Sequence, residues 1–174
     1  MSPKTQTLEK KDSKFQELFL HELKDIYWAE THLAKTLPKM KDKATSEKLS
    51  NAIGAHIKET EKQIERLEEV FEMLDEEAES VTCEAMKGLI KEAEEILDDT
   101  ESDTMVRDAG IIIASQKVEH YEIASYGSLV HLCKKMGLSD CANLLEKTLE
   151  EEKKADKKLT EIAEKEVNEK AMQE

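Results

Sequence analysis

Residues 104–137 read TMVRDAGIIIASQKVEHYEIASYGSLVHLCKKMG. Thr104 offers a side-chain oxygen for an N-cap, and Gly137 accepts the left-handed backbone that closes many helices. Between them Ala109, Ile112, Ile113, Ile123, Tyr126 and Val130 recur at helical spacing, so the stretch predicts one long helix. At about 100° per residue, Glu119 projects onto the centre of that apolar stripe. Gln116 lies near it, and Glu122 sits one turn on at the flank. An acid on the face that must be buried sets the question for the rest of the chain.

Working outward, the same spacing recurs on both sides. Ser13 with Gln16 forms a capping box ahead of Phe15, Leu18, Phe19, Ile26, Ala29, Leu33, Leu37 and Met40. That predicts a helix over about 14–42, which Pro38 should kink or end early. Thr45 or Ser46 caps a second helix running to about Asp75 with Leu49, Ile53, Leu67, Val70 and Phe71 on its stripe. A shorter helix opens at Thr82, carries Met86, Leu89, Ile90, Ala93 and Leu97, and dies in the acidic run DDTESDT. Ser139 caps the last long helix, with Leu145, Leu149, Leu159 and Ile162. The fold class is therefore all-α. Short turns make the first two long helices antiparallel, and likewise the last two, while residues 76–103 can cross the length of the bundle. An antiparallel four-helix bundle with one long crossover, here containing an extra shorter helix, is the ferritin-like topology. Residues 1–12 read as a flexible tail, 13–169 as the bundle and 170–174 as a C-terminal tail.

Composition agrees with this reading. The chain has 174 residues, enough for one domain. With 26 Lys and Arg against 40 Asp and Glu, the formal charge is −14, which argues against nucleic acid and anionic membranes as partners. No uncharged run is long enough to span a bilayer and no apolar leader is visible, so the expected location is the cytoplasm. Only 5 Gly and 2 Pro leave few turns for a sheet protein. Cys83, Cys133 and Cys141 form no CxxC pair and fit reduced, buried thiols.

Every long helix breaks its apolar stripe near its middle. The first has Glu22 near the stripe centre and Glu30 toward the edge. The second has His56, Glu59, Thr60 and Gln63 together. The third has Glu119 and Glu122, and the fourth has Glu152 and Asp156 bracketing the centre. Counted from the turns at about 1.5 Å per residue, Glu30 and Glu59 meet at one height, and Glu119, Glu122, Glu152 and Asp156 fall near the same mid-level. Glu22 lies about 12 Å away, so Glu30 is preferred. Five or six carboxylates and a histidine inside a bundle need neutralising, since a buried unpaired charge costs several kcal/mol. No Lys or Arg lies on these stripes at this level. Two metal ions would suffice, and hard oxygen ligands with imidazole suit iron or manganese. The candidate ligands are Glu30, His56, Glu59, Glu119, Glu122, Glu152 and Asp156. Tyr121 and Tyr126 are read as packing residues beside the acids, with a hydrogen bond to a ligand as the alternative; His120 is read as a packing or supporting residue, and Arg66 and Arg107 as surface ion-pair partners, with a pair to a ligand carboxylate as the alternative.

The motifs FQELFLHELKDIYWAE, HIKETEKQIERLE, CEAMKGLI, VEHYEIASYG and LEKTLEEEKKADKKL resemble, in order and spacing, those of the YciF-like ferritin-like proteins. The acid set also resembles the di-iron ligands of rubrerythrin and ferritin. The resemblance implies a stress-associated protein, a ferritin-like fold and a homodimer. It departs from the rubrerythrin pattern at Lys62 and Ala155, where that pattern has His. The absence of CxxC pairs leaves no rubredoxin-like segment, so any electron donor is expected to be a separate protein. The expected function is a di-metal carboxylate protein handling Fe(II), peroxide or dioxygen. The alternatives are a metal-free structural or partner-binding bundle with a decayed site, and iron storage.

Overall fold

The computed structural model describes residues 13–174, so the expected N-terminal tail lies outside the described residues. The elements are α1 (Lys14–Lys43), α2 (Glu47–Met73), α3 (Glu84–Asp99), α4 (Met105–Met136) and α5 (Ser139–Ile162), followed by a π-helical turn (Ala163–Val167) and α6 (Asn168–Ala171). There is no strand among the described residues.

The four long helices neighbour one another in the cyclic order α1, α2, α5, α4, and α3 lies against α4 and α1. The start of α4 sits at the α1–α2 turn, because the Asp108 carboxylate accepts from the backbone N–H groups of Thr45 and Ser46 at 2.8 and 2.5 Å. Each neighbouring pair is thereby antiparallel. The crossover is tied to α1 on its way, with Val81 N–H donating to the Lys24 carbonyl at 3.3 Å. Leu23, Ile26, Leu49, Leu67, Leu129 and Leu145 are fully buried and fill the bundle. No helix among the described residues is long and apolar enough to cross a membrane.

Local signals settle most boundaries. Ser13 and Gln16 form the expected capping box. Ser46, rather than Thr45, caps α2, and Thr104 caps α4. Gly137 has φ 75°, and Leu138 N–H reaches the Cys133 carbonyl at 2.9 Å in a Schellman closure.

Four expectations are corrected. Pro38 does not end α1, which runs on to Lys43. Burial of Leu37 and Met40 beside it, about 1.5–3 kcal/mol each, offsets the roughly 3 kcal/mol that an interior proline costs. Cys83, not Thr82, caps α3, its sulfur accepting from Met86 N–H at 3.2 Å. Ser139 does not cap α5; the buried Leu138 takes the N-cap position, and Ser139 is already helical. Ile113 is 54% exposed, and Phe15 and Leu18 are also on the surface. At the C-terminus the helix continues to Ala171, and the Glu174 carboxylate accepts from Met105 and Val106 N–H, so this end is tied to the start of α4.

Candidate metal centre

Four elements deliver acids or imidazole to one point in the bundle. His56 on α2, Glu119 and Glu122 on α4, and Glu152 on α5 each offer a ligand atom, and these atoms lie within 4.8 Å of one another. All four side chains are buried. The i, i+3 spacing aims Glu119 and Glu122 to the same side of α4. Glu30 joins them from α1, fully buried, with its Oε1 accepting a hydrogen bond from the Tyr126 hydroxyl at 2.5 Å.

Few polar groups satisfy this cluster. Both ring nitrogens of His56, both oxygens of Glu122, and Oε2 of Glu30, Glu119 and Glu152 are buried without a hydrogen-bond partner. His56 Nε2 approaches Glu119 Oε1 at 3.4 Å and Glu152 Oε2 at 4.0 Å, too long or too poorly aligned to satisfy it. Buried polar atoms are nearly always paired, so seven orphans at one point call for a common partner. A hard cation is the chemical species that accepts carboxylate oxygens and imidazole nitrogen together. The residues fit a metal.

The electrostatics agree. Burial, and then the neighbouring charge of Glu152, pushes the Glu30 carboxyl up to about 8. Burial pushes Glu119 up to about 8 as well. Glu122 and Glu152 are also held well above the ordinary carboxylate range, chiefly by burial. Burial works against a charged His56, yet Glu59, Glu152 and Glu30 outweigh it and raise its pKa. A cation-free cluster is therefore a proton store. The Tyr126 phenol, raised by burial and by Glu30, stays protonated and so remains a donor.

Around the cluster, the Gln63 amide donates to Glu152 and, at 3.2 Å, to Glu151. Arg66 grips Glu151 through both guanidinium nitrogens at 2.6 and 2.8 Å. Arg66 thus pairs with the acid beside Glu152. Arg107 is not a surface ion-pair partner. It is buried and donates to the Leu97 and Thr100 carbonyls, closing the C-terminus of α3. Tyr121 does more than pack: its hydroxyl donates to Asp25 at 2.7 Å and meets the Cys83 sulfur at 3.1 Å.

The expected site residues separate into two sets. Glu30, His56, Glu119, Glu122 and Glu152 converge. Glu59 stands at the rim, 45% exposed and 3.8 Å from His56 Nδ1. Asp156 lies outside the cluster of four, held by Gln116 at 3.1 Å and by the exposed His120 at 3.3 Å. Glu22 is exposed. Gln63 stood out in the sequence only as a break in a stripe; a polar residue one turn beyond two others on a buried face was the signal for a partner to the acids.

Comparison with known proteins places the chain. Protein YciF of Escherichia coli strain K12 is 48% identical over 157 residues, covering 90% of this chain and 94% of that protein. The crystal structure of the E. coli stress protein YciF superposes with a TM-score of 0.85 at 46% identity, covering 90% of this chain and 99% of that one. YcfI of Rhodopseudomonas palustris gives 0.83 at 43% identity over 87% of this chain and 96% of that one. A Xanthomonas campestris protein, 23% identical, shares the fold with a TM-score of 0.67 over 87% of this chain and 92% of that one. The family described as a domain of unknown function, DUF892, matches residues 14–172, and with nearly the whole chain inside that match this chain belongs to the DUF892 family and is a homologue of YciF.

Proposed function

We propose that this chain is a dinuclear metal-carboxylate protein of the stress response that handles Fe(II) together with peroxide or dioxygen. The observation that carries the reading is the set of buried, partnerless ligand atoms on Glu30, His56, Glu119, Glu122 and Glu152. Glu30 and His56 would hold metal from the α1–α2 side, and Glu152 from α5. Glu119 and Glu122 lie between them on α4, and Glu59 and Asp156 are candidates for outer positions. When bound, a pair of iron or manganese ions supplies redox chemistry toward dioxygen or peroxide. The protein's own share is orientation and exclusion of water. Tyr126 fixes one oxygen of Glu30, and Gln63 fixes Glu152. Burial keeps bulk water from Glu30, Glu122 and Glu152. The reading includes a homodimer, a separate electron donor and a cytoplasmic setting; three free buried cysteines suit a reducing compartment.

A second reading rests on the raised carboxyl pKa values. Protonated at neutral pH, the Glu30–Glu122 and Glu119–Glu152 pairs can hydrogen-bond each other in a metal-free bundle with a structural role. Metal analysis separates the two. Untagged protein from iron- and manganese-supplemented cells should carry about two metal ions per chain, lost in Glu119→Ala. Peroxide and oxygen consumption should then follow the metal content. No metal in either protein, even after anaerobic Fe(II) addition, overturns the metal reading and leaves the structural one.

A further inference from the structure

Beside the carboxylate cluster lies a cavity of about 560 Å³, within the range of small-molecule sites. The four long helices and α3 all line it. Its body is aliphatic, with Leu33, Leu37, Ile53, Ile90 and Leu159 among the walls. Its inner end is polar: His56 and Glu119 line it, and both carry buried atoms without partners. Its outer side carries the exposed Lys48, Lys154 and Lys158, three cations against the single acid Glu59. Lys48 is paired with Glu166 at 2.8 Å, whereas Lys154 and Lys158 form no ion pair among the described residues.

We propose that this cavity binds a linear acyl anion, with its alkyl chain among the aliphatic walls and its carboxylate at Lys154 and Lys158. Three observations fix the class. The walls are predominantly apolar, with Thr36, Asn51 and Ser115 the uncharged polar exceptions, so the body of the ligand is hydrocarbon. The two lysines stand at the mouth of a chain whose formal charge is −14, a local reversal of sign that favours an anionic head. The exposed lysines stand at one end of the cavity and the buried His56 and Glu119 at the other, so a head held by the lysines puts the chain end inward. The proposal rests on the metal reading only for what that inner end would face.

The test uses the full chain and sodium decanoate, followed by calorimetry, with decanol as the neutral comparison. Saturable binding of one decanoate per chain is expected. Ala114→Leu fills the cavity from α4 and should weaken decanoate and decanol alike by at least tenfold. The double substitution Lys154→Ala and Lys158→Ala, both exposed and safe for folding, should weaken decanoate about fivefold and leave decanol unchanged. Absence of saturable binding to the wild type, or equal binding by Ala114→Leu, overturns the proposal. Equal loss of both ligands in the lysine variant overturns the head-group assignment. Decanoate binding that falls as protein concentration rises would put a second copy of the chain in the cavity and overturn it as well. Metal content measured on the same wild-type and Ala114→Leu samples should be equal, because no ligand side chain is altered. Loss of acyl binding with metal retained therefore isolates the cavity, and absence of metal with acyl binding retained counts against the metal reading alone.

Discussion

The Tyr126 hydroxyl donates to Glu30 Oε1 at 2.5 Å, and both side chains are wholly buried, one from α4 and one from α1. With the Tyr121–Asp25 bond, it is one of two polar links between these helices among the described residues. Tyr126→Phe keeps the ring and removes the donor, leaving both Glu30 oxygens short of partners. The expected cost in chelated protein is about 1–3 kcal/mol. With a slope of about 2 kcal/mol per molar urea, that moves the unfolding midpoint by roughly 1 M. Saturating Mn(II) should shrink the difference, since a bound cation would partner the same carboxylate. An unchanged midpoint in chelated protein would show that the bond contributes nothing to stability.

The raised carboxyl groups predict an inverted pH dependence for the metal-free protein. Glu30 and Glu119 titrate near 8 in the folded chain, against about 4.5 when unfolded. Between those values the folded state holds protons that the unfolded state has released, so stability falls as pH rises. It is fullest below about 4.5 and lost as pH passes 8. The melting temperature of chelated protein should drop from pH 5.5 to 8.5, with Mn(II) restoring most at the alkaline end, where protons no longer compete for the ligands. Repulsion among surface acids gives the same direction, so Glu119→Gln is the control. Its side chain is neutral throughout, and its slope should be shallower than the wild type's; an identical slope would assign the whole effect to the surface.

Gln63 carries the next prediction. Its amide nitrogen joins Glu152 to Glu151, and Arg66 anchors Glu151 in turn. Gln63→Leu preserves bulk but releases Glu152 to rotate. Partners of this kind typically support metal affinity by 10–100-fold. Fe(II) or Mn(II) titration of the variant should show a loss in that range with stoichiometry unchanged. Arg66→Ala, one step further out, should lose less. An affinity equal to the wild type's for Gln63→Leu would mean that packing alone orients Glu152.

The sequence carried the bundle and most of the cluster because both follow from periodicity. A stripe predicts which residues face inward, and Glu119, Glu122 and Glu152 betray themselves by lying on one. Height favours Glu30, yet the stripe puts Glu22 near its centre and Glu30 toward its edge, for a definite reason. Phe15, Leu18 and Glu22 share a face at i, i+3 and i+7, and counting the first two as core rotated the stripe toward Glu22. In the fold Phe15 and Leu18 are exposed, and the buried line runs through Leu23, Ile26, Glu30 and Leu33. Helical spacing shows that a face is apolar, not that anything covers it. Glu59 and Asp156 lie nearer solvent than the cluster: each sits one turn from a buried group, within the angular tolerance of a helical wheel but toward the edge of the real bundle. The partners of Asp25, Gln63 and Arg107 lie on other elements or involve backbone atoms, which no pattern along a single helix encodes.

Asp108 is the clearest case of such hidden pairing. Nothing in its local sequence distinguishes it from other first-turn acids, yet it is fully buried and its two oxygens accept from Thr45 and Ser46 N–H. It closes the α1–α2 turn from a different helix, and Ser46, which its carboxylate holds, caps α2 in turn through Leu49 N–H at 3.4 Å. Asp108→Ala removes a charged acceptor from two buried or half-buried donors, and water can reach them only if the turn opens. Each orphaned donor costs about 1–3 kcal/mol, so the variant should lose roughly 2–4 kcal/mol, a large share of the stability of a domain this size. Asp108→Asn, which keeps one acceptor oxygen, should recover part of it. Metal stoichiometry should be unchanged in both variants, because His56 lies several turns along α2 from the cap. A variant that unfolds no more readily than the wild type would show that the turn is held by the packing of Leu49 and Met40 instead, with the carboxylate merely filling space between them.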